Sequence, residues 1–252
     1  MNGKATFDFG LVKCSTHTIP DLLDEVRTLL FDKSLHPRTI NFVNAHVYNL
    51  ATKDHELRQN LNRSRIVAAD GISVVWAARL FGAKMVERCN MTEAFRAFLH
   101  DTQMLRNNAI LIGAHQAEVE KAAQNMTKSS VHCRIIRAVS GFADDSEYSR
   151  VISECGNIDF IFVGMGSPKS ERFVHFASEI CPQAIIWHIG GGTIRFYAGT
   201  LKEAPVWLRR CGLQWLHRLC SEPRRMWKRY FIGNPKFIYL ILKEYIRNTR
   251  MH

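Results

Sequence analysis

Three turns, each after a short apolar run, hold the residues best placed for chemistry. Ile66-Val-Ala-Ala69 leads into Asp70-Gly71, Ile110-Leu-Ile112 into Gly113, and Phe160-Ile-Phe-Val163 into Gly164-Met-Gly166-Ser-Pro-Lys169-Ser170-Glu171. Glycine at such turns lets backbone approach a ligand, and N–H groups at the next helix start attract phosphate. One such turn is an ordinary connection, and Asp before Gly is a common turn or N-cap pair. Three together point to a nucleotide site, although neither a Walker A loop nor G-x-G-x-x-G is present: Lys169 stands at the third glycine position.

A second chemical element lies at the end of the chain. Residues 206–252 carry eleven Lys/Arg against Glu222 and Glu244, which is +9 of the formal +11. Trp207, Trp215, Trp227, Tyr230, Phe231, Phe237, Tyr239 and Tyr245 are interleaved with these cations. Such a mixture suits a surface where anionic groups border hydrocarbon, because rings sit at the boundary while cations meet phosphates. It also suits a diphosphate or a nucleic acid.

The elements that must position these groups follow from periodicity. Strands are expected at Thr39–Val43, Arg65–Ala69, Ala109–Gly113, His132–Ala138, Asp159–Val163 and Ala184–Ile189. Helices are expected at Ala45–Asn60, Ser73–Phe81, Thr92–Leu105, Gln116–Thr127, Asp144–Glu154 and Lys169–Ile180. Continuous apolar strands separated by helices predict an α/β fold, a Rossmann-like, mainly parallel sheet covered on both faces. Ligands bind such sheets at the carboxyl ends of the strands. A core over 1–205 and a basic, aromatic, membrane-associating appendage over 206–252 are expected, divided near Pro205. Seven scattered cysteines, none in a C-x-x-C pair, fit a reducing compartment better than a disulfide framework. The first residues lack a secretory-signal pattern, and no apolar run approaches the ~20 residues of a membrane-spanning helix. The eleven histidines show no metal-ligand spacing.

Three stretches in order, Asn44-Ala-His…Ala-Asp70-Gly71, Phe162-Val-Gly-Met-Gly-Ser-Pro-Lys169-Ser-Glu171 and Gly212-Leu-Gln-Trp215-Leu-His-Arg218-Leu…Glu222-Pro-Arg-Arg225…Arg229-Tyr230, carry a resemblance. Together they resemble the WecG/TagA/CpsF family of bacterial glycosyltransferases, from about Thr39 to Leu242. The resemblance implies an inverting transferase, peripheral on the inner face of the bacterial cytoplasmic membrane. It would move N-acetylmannosamine from its UDP-sugar onto an undecaprenyl-diphosphate-linked sugar in cell-surface polysaccharide synthesis, with no bound metal or other cofactor.

Asp70 then matches the proposed base, since transfer requires deprotonation of the acceptor hydroxyl as it attacks the anomeric carbon. Asn44 matches an asparagine near the acceptor, Arg88 an arginine before the next helix, and Glu171 the last residue of a Pro-Lys-Gln-Glu segment. Arg218 and Arg225 match appendage arginines; Lys228 replaces another, with Arg229 beside it. These four cations are expected on one broad helical face, gathered on the diphosphate of the UDP leaving group. Gly71, Gly113, Gly164, Gly166, Ser170 and Arg195 complete the expected binding set.

Departures from the family pattern fall at Phe42 (threonine in the family), Ser170 (glutamine), Met91-Thr-Glu93 (Gly-x-Asp), Arg195 (aspartate) and Glu203 (arginine). Loss of Thr and Gln suggests other recognised sugar groups. UDP-glucose or UDP-glucuronic acid is therefore a second donor expectation, with Arg195 a carboxylate partner for the uronate. A nucleic-acid-binding protein and a non-catalytic membrane scaffold rank lower; neither RRM, KH nor zinc-finger signatures occur. The resemblance also allows homo-oligomers through the core.

Overall fold

The computed structural model describes residues 6–8, 10–85, 87–205, 207–208 and 214–249. The expected division at 205/206 therefore lies beside residues outside that set, and the Arg225 side chain is outside it too.

An eight-stranded sheet organises the chain, in the order β1-β2-β4-β3-β8-β7-β5-β6. The strands are β1 (Thr6–Asp8), β2 (Lys13–Ser15), β3 (Thr39–Val43), β4 (Ile66–Ala69), β5 (Asn107–Gly113), β6 (Cys133–Val139), β7 (Phe160–Gly164) and β8 (Ile185–His188). Only the β1–β2 pair is antiparallel among these. β3, β4, β7 and β8 are buried at every position, as strands covered on both faces must be. The expected α/β, Rossmann-like class is what the chain adopts.

Helices α1 (Ile19–Phe31), α2 (Ala45–Ala51), α3 (His55–Arg63), α4 (Ile72–Leu80), α5 (Met91–Leu99), α6 (Gln116–Ser129), α7 (Asp145–Glu154), α8 (Lys169–Ile180) and α9 (Gly191–Ala198) cover the two faces. On one face α1, α5 and α6 close over Phe95, Phe98, Phe160, Phe162 and Trp187. Most of these rings meet edge-on at centroid distances of 4.9–6.2 Å, while Phe95 stacks on Phe98 and Phe160 on Phe162. The other face is packed in two sectors, one under α2, α3 and α4, the other under α7 and α8.

Several local departures from the sequence expectation have physical causes. The single helix expected over Ala45–Asn60 is two, because Asp54 turns its carboxylate onto the Leu57 N–H and starts a new helix. Helix α1 opens on a capping box, Thr18 with Asp21, around Pro20. Helix α9 follows Gly190, whose φ of +77° admits glycine readily.

Beyond residue 213 come α10 (Gln214–Ser221), α11 (Pro223–Trp227), a π-helical turn Lys228–Ile232 and α12 (Gly233–Thr249). α12 seats Phe237 and Ile241 in the apolar sector beneath α2. Phe237 meets Tyr48 edge-on at 5.3 Å, and Asn49 Nδ2 donates to the Gly233 carbonyl at 2.6 Å. Among the described residues no helix is long and apolar enough to cross a membrane.

Candidate active site

The sheet register sets the site. Val43 pairs with Ala69, so Asn44 and Asp70 are the next residues on neighbouring strands. Gly113 pairs with Gly164, and Val163 with His188. The ends of β4, β3, β8, β7 and β5 thus lie side by side at the carboxyl edge, as the three turns predicted.

Asp70 is partly exposed there and held by three donors. Oδ1 accepts from the Met91 N–H at 2.9 Å and from Asn90 Nδ2 at 3.1 Å. Oδ2 accepts from Asn44 Nδ2 at 3.4 Å. Both asparagines are fixed in turn by capping: Asn44 Oδ1 accepts from the N–H groups of His46 and Val47, and Asn90 Oδ1 from that of Glu93. Two helix starts therefore orient one carboxylate. The long contact to Oδ2 leaves that oxygen with lone pairs for an incoming hydroxyl.

Asn90 is one residue that the sequence did not single out. Its signal is Asn90 followed three residues later by Glu93, a helix-start pattern. Its amide also lies 3.5 Å from Gln214 Oε1 on α10, at the outer limit for a hydrogen bond. Arg88 lies 3.7 Å from Glu93.

The glycines divide into two kinds. A Cβ on Gly113 would stand 2.3 Å from the Gly164 carbonyl oxygen, and one on Gly164 2.6 Å from Ile194 Cδ1. Protein atoms fill both places, so these glycines let α9 close on the strand ends and present no open cradle. Gly166, at φ +84°, faces open space, as an approaching ligand requires.

Ser170 and Glu171 are fully buried. Ser170 Oγ accepts from the Met165 N–H at 3.0 Å, and Glu171 Oε1 from Ser167 Oγ at 2.6 Å. Both brace the turn from inside. Phe42 is likewise in the core, so neither Phe42 nor Ser170 presents a side chain to a ligand here.

His188, at the end of β8, is buried with Nδ1 lacking a hydrogen-bond partner, 3.9 Å from Glu171 Oε1. Burial holds its pKa below the usual 6.5, against the charges of Glu171 and Asp70, which favour the protonated ring. The unfolded chain therefore binds the extra proton more readily. Stability is unaffected well above that value and falls as pH drops through it. Buried His132 is lowered too and acts in the same direction. His188→Asn should remove part of the fall in Tm between about pH 7 and pH 5; an unchanged slope would assign that fall to other groups.

Among the described residues, Arg218 is the appendage cation that meets the site. A Cβ on Gly192 would lie 3.1 Å from Arg218 Nη2, so the guanidinium rests on the start of α9. Arg218 borders a crevice of about 20 Å³ with Thr92, Gly192, Gln214 and His217, room for about one water. Arg195 donates to Glu222 at 2.7 Å, tying α9 to the appendage. Lys228 instead lies exposed over the Trp227 ring, 5.7 Å from its centroid; Arg229 is partly buried one residue on.

Across the edge, His115 and Phe142 stack at 4.5 Å and 22°, with Phe142 largely exposed. Lys169 Nζ donates to the Gly141 carbonyl at 2.8 Å and sits 5.9 Å from the Phe142 ring. This platform escaped the sequence because its members come from three separate turns. Among the described residues no group of His, Cys, Asp or Glu could hold a metal ion.

A family model described as glycosyl transferase WecG/TagA/CpsF family matches residues 8–251. The chain is 29% identical over 206 residues (81% of this chain, 79% of the relative) to an N-acetylglucosaminyldiphosphoundecaprenol N-acetyl-beta-D-mannosaminyltransferase of Bacillus subtilis. It is 24% identical over 192 residues (76% and 74%) to a protein of the same description from Bacillus spizizenii.

Proposed function

We propose, from the premise that this chain belongs to the WecG/TagA/CpsF family of glycosyltransferases, that it is an inverting transferase of N-acetylmannosamine. The donor is UDP-N-acetylmannosamine and the acceptor a polyprenyl-diphosphate-linked N-acetylglucosamine, the acceptor named for both relatives. The observation that carries this is Asp70, a carboxylate fixed by Asn44, Asn90 and the Met91 N–H at the carboxyl edge of the sheet.

The acceptor hydroxyl gives its proton to Asp70 Oδ2 as its oxygen bonds to the anomeric carbon. The anomeric C–O bond to phosphate breaks on the opposite face, inverting that centre, and its electron pair stays on UDP. Asp70 then returns the proton to water. Arg218 and the N-terminal N–H groups of α9 are set to take up charge on the departing diphosphate. The exposed Phe142–His115 stack suits the flat face of uracil. The crevice beneath α10 is too small for a sugar nucleotide, so α10 withdraws for the donor to enter and closes behind it.

Exposed Trp227, Phe231, Ile238 and Tyr239, among the cations of the appendage, support attachment to an anionic bilayer, at the inner face of the cytoplasmic membrane. The core is 1–205 and the appendage 206–252 in this reading. Arg195, engaged by Glu222 and 4.0 Å from Glu118, gives a uronate donor no unpaired cation.

A panel of UDP-N-acetylmannosamine, UDP-N-acetylglucosamine, UDP-glucose and UDP-glucuronic acid, with a short-chain lipid-diphosphate N-acetylglucosamine acceptor, tests the substrates. Transfer from the first with inversion is expected. Transfer only from glucose or glucuronic acid would overturn the donor, and no transfer from any would overturn the reaction.

A further inference from the structure

Helix α4 leaves the candidate base and turns an apolar stripe outward. Val74, Val75, Ala77 and Ala78 are buried, yet Ile72, Trp76 and Leu80 are 39, 63 and 41% exposed. A spacing of four places these three on one face. Helices on a soluble core normally show polar residues there, and contiguous exposed apolar surface marks an interaction site. Ile72 is the second residue after Asp70, and the stripe runs about 12 Å from it along the helix.

At the far end the stripe reaches the appendage. Phe81, directly after α4, meets Tyr245 edge-on at 5.7 Å and 84°. On α12, Ile238, Leu242 and Ile246 repeat the same spacing and are also exposed. Exposed cations accompany both stripes: Arg79 and Lys84 on the first, Lys243 on the second.

We propose that α4 is a second lipid-contacting element, built into the core and independent of the appendage's charge. Together α4 and α12 rest at the hydrocarbon boundary of an anionic bilayer. The start of α4 then holds Asp70 at headgroup level, where the hydroxyl of a membrane-tethered sugar is presented. This rests on the reading that the acceptor is lipid-linked. The rim of cations favours a bilayer over a second copy of the chain, since a two-fold contact through this stripe would gather the same cations of both copies.

The test uses the full chain with Trp76→Ser and Leu80→Ser together, and Trp76→Phe as the conservative variant. Partition onto phosphatidylglycerol vesicles should fall about tenfold in the serine pair and hold in Trp76→Phe. Transfer to a short-chain soluble acceptor should be unchanged, which also shows that the fold survives. Transfer to a long-chain acceptor in vesicles should fall with the partition. Unchanged partition would overturn the proposal. So would a serine pair that binds vesicles normally but loses self-association in sedimentation velocity, which would give the stripe to a second copy. If the parent protein transfers to neither acceptor, the lipid-linked-acceptor reading fails, while vesicle binding still decides α4.

Discussion

Asp70→Asn should lower kcat by about 10²–10⁴-fold, the usual contribution of a positioned general base, with the fold intact. Asparagine keeps the shape and an acceptor oxygen for the Met91 N–H and Asn90 Nδ2, the two shorter contacts to Asp70. Its own amide would then face Asn44 Nδ2, replacing the longer Oδ2 contact with two donors, a cost of about 1 kcal/mol. Tm should therefore move by only a few degrees for a chain of this size. Donor KM should change little, because the proton is taken only in the transition state. Asp70→Glu tests position separately: a carboxylate misplaced by ~1 Å is expected to lose about 10²-fold. Turnover at the parent rate in Asp70→Asn would remove Asp70 as base and leave it as a brace between two helix starts.

How much of this was legible in the sequence varies with the range of the interactions involved. β4, β7 and β8, each within two residues of expectation, announce themselves as short, almost wholly apolar runs, and β3 was matched residue for residue despite Asn41 at its centre. β1 and β2 are three residues each and take their identity from pairing with each other and with β4. The Asp70 turn was visible locally, but Asn90 acts on a carboxylate twenty positions back and His188 sits inside an apolar strand, so neither stood out.

Glycine was half legible. The sequence identifies a place where side chains are excluded, but only the packing shows who excludes them: Ile194 and a carbonyl at Gly164 and Gly113, open space at Gly166. The appendage cations show a similar limit. Arg218 and Lys228 share a face only on an unbroken helix, and Pro223 starts a new one between them. The π-helical turn at Lys228–Ile232 alters the phase again. Hence Arg218 reaches the start of α9 while Lys228 lies over Trp227.

That separation makes Arg218→Ala the second large effect expected. Arg218 lies against Gly192, in the first turn of α9, where backbone N–H groups and the helix dipole already favour an anion. In the proposed transfer, charge on UDP grows as the anomeric bond breaks, so a hydrogen-bond donor fixed here favours the transition state over the bound sugar nucleotide. Loss of one such preorganised contact costs about 10²–10³-fold in kcat. Lysine should recover part of this through charge, but not the fork geometry of guanidinium. Rapid-quench measurement of the chemical step separates this from slow withdrawal of α10, which would limit product release instead. A raised donor KM with kcat unchanged would make Arg218 a uniform binding contact. An unchanged kcat and KM would confine it to packing α10 on α9, and the charge on UDP would then have to be met by the helix N-termini and Lys169.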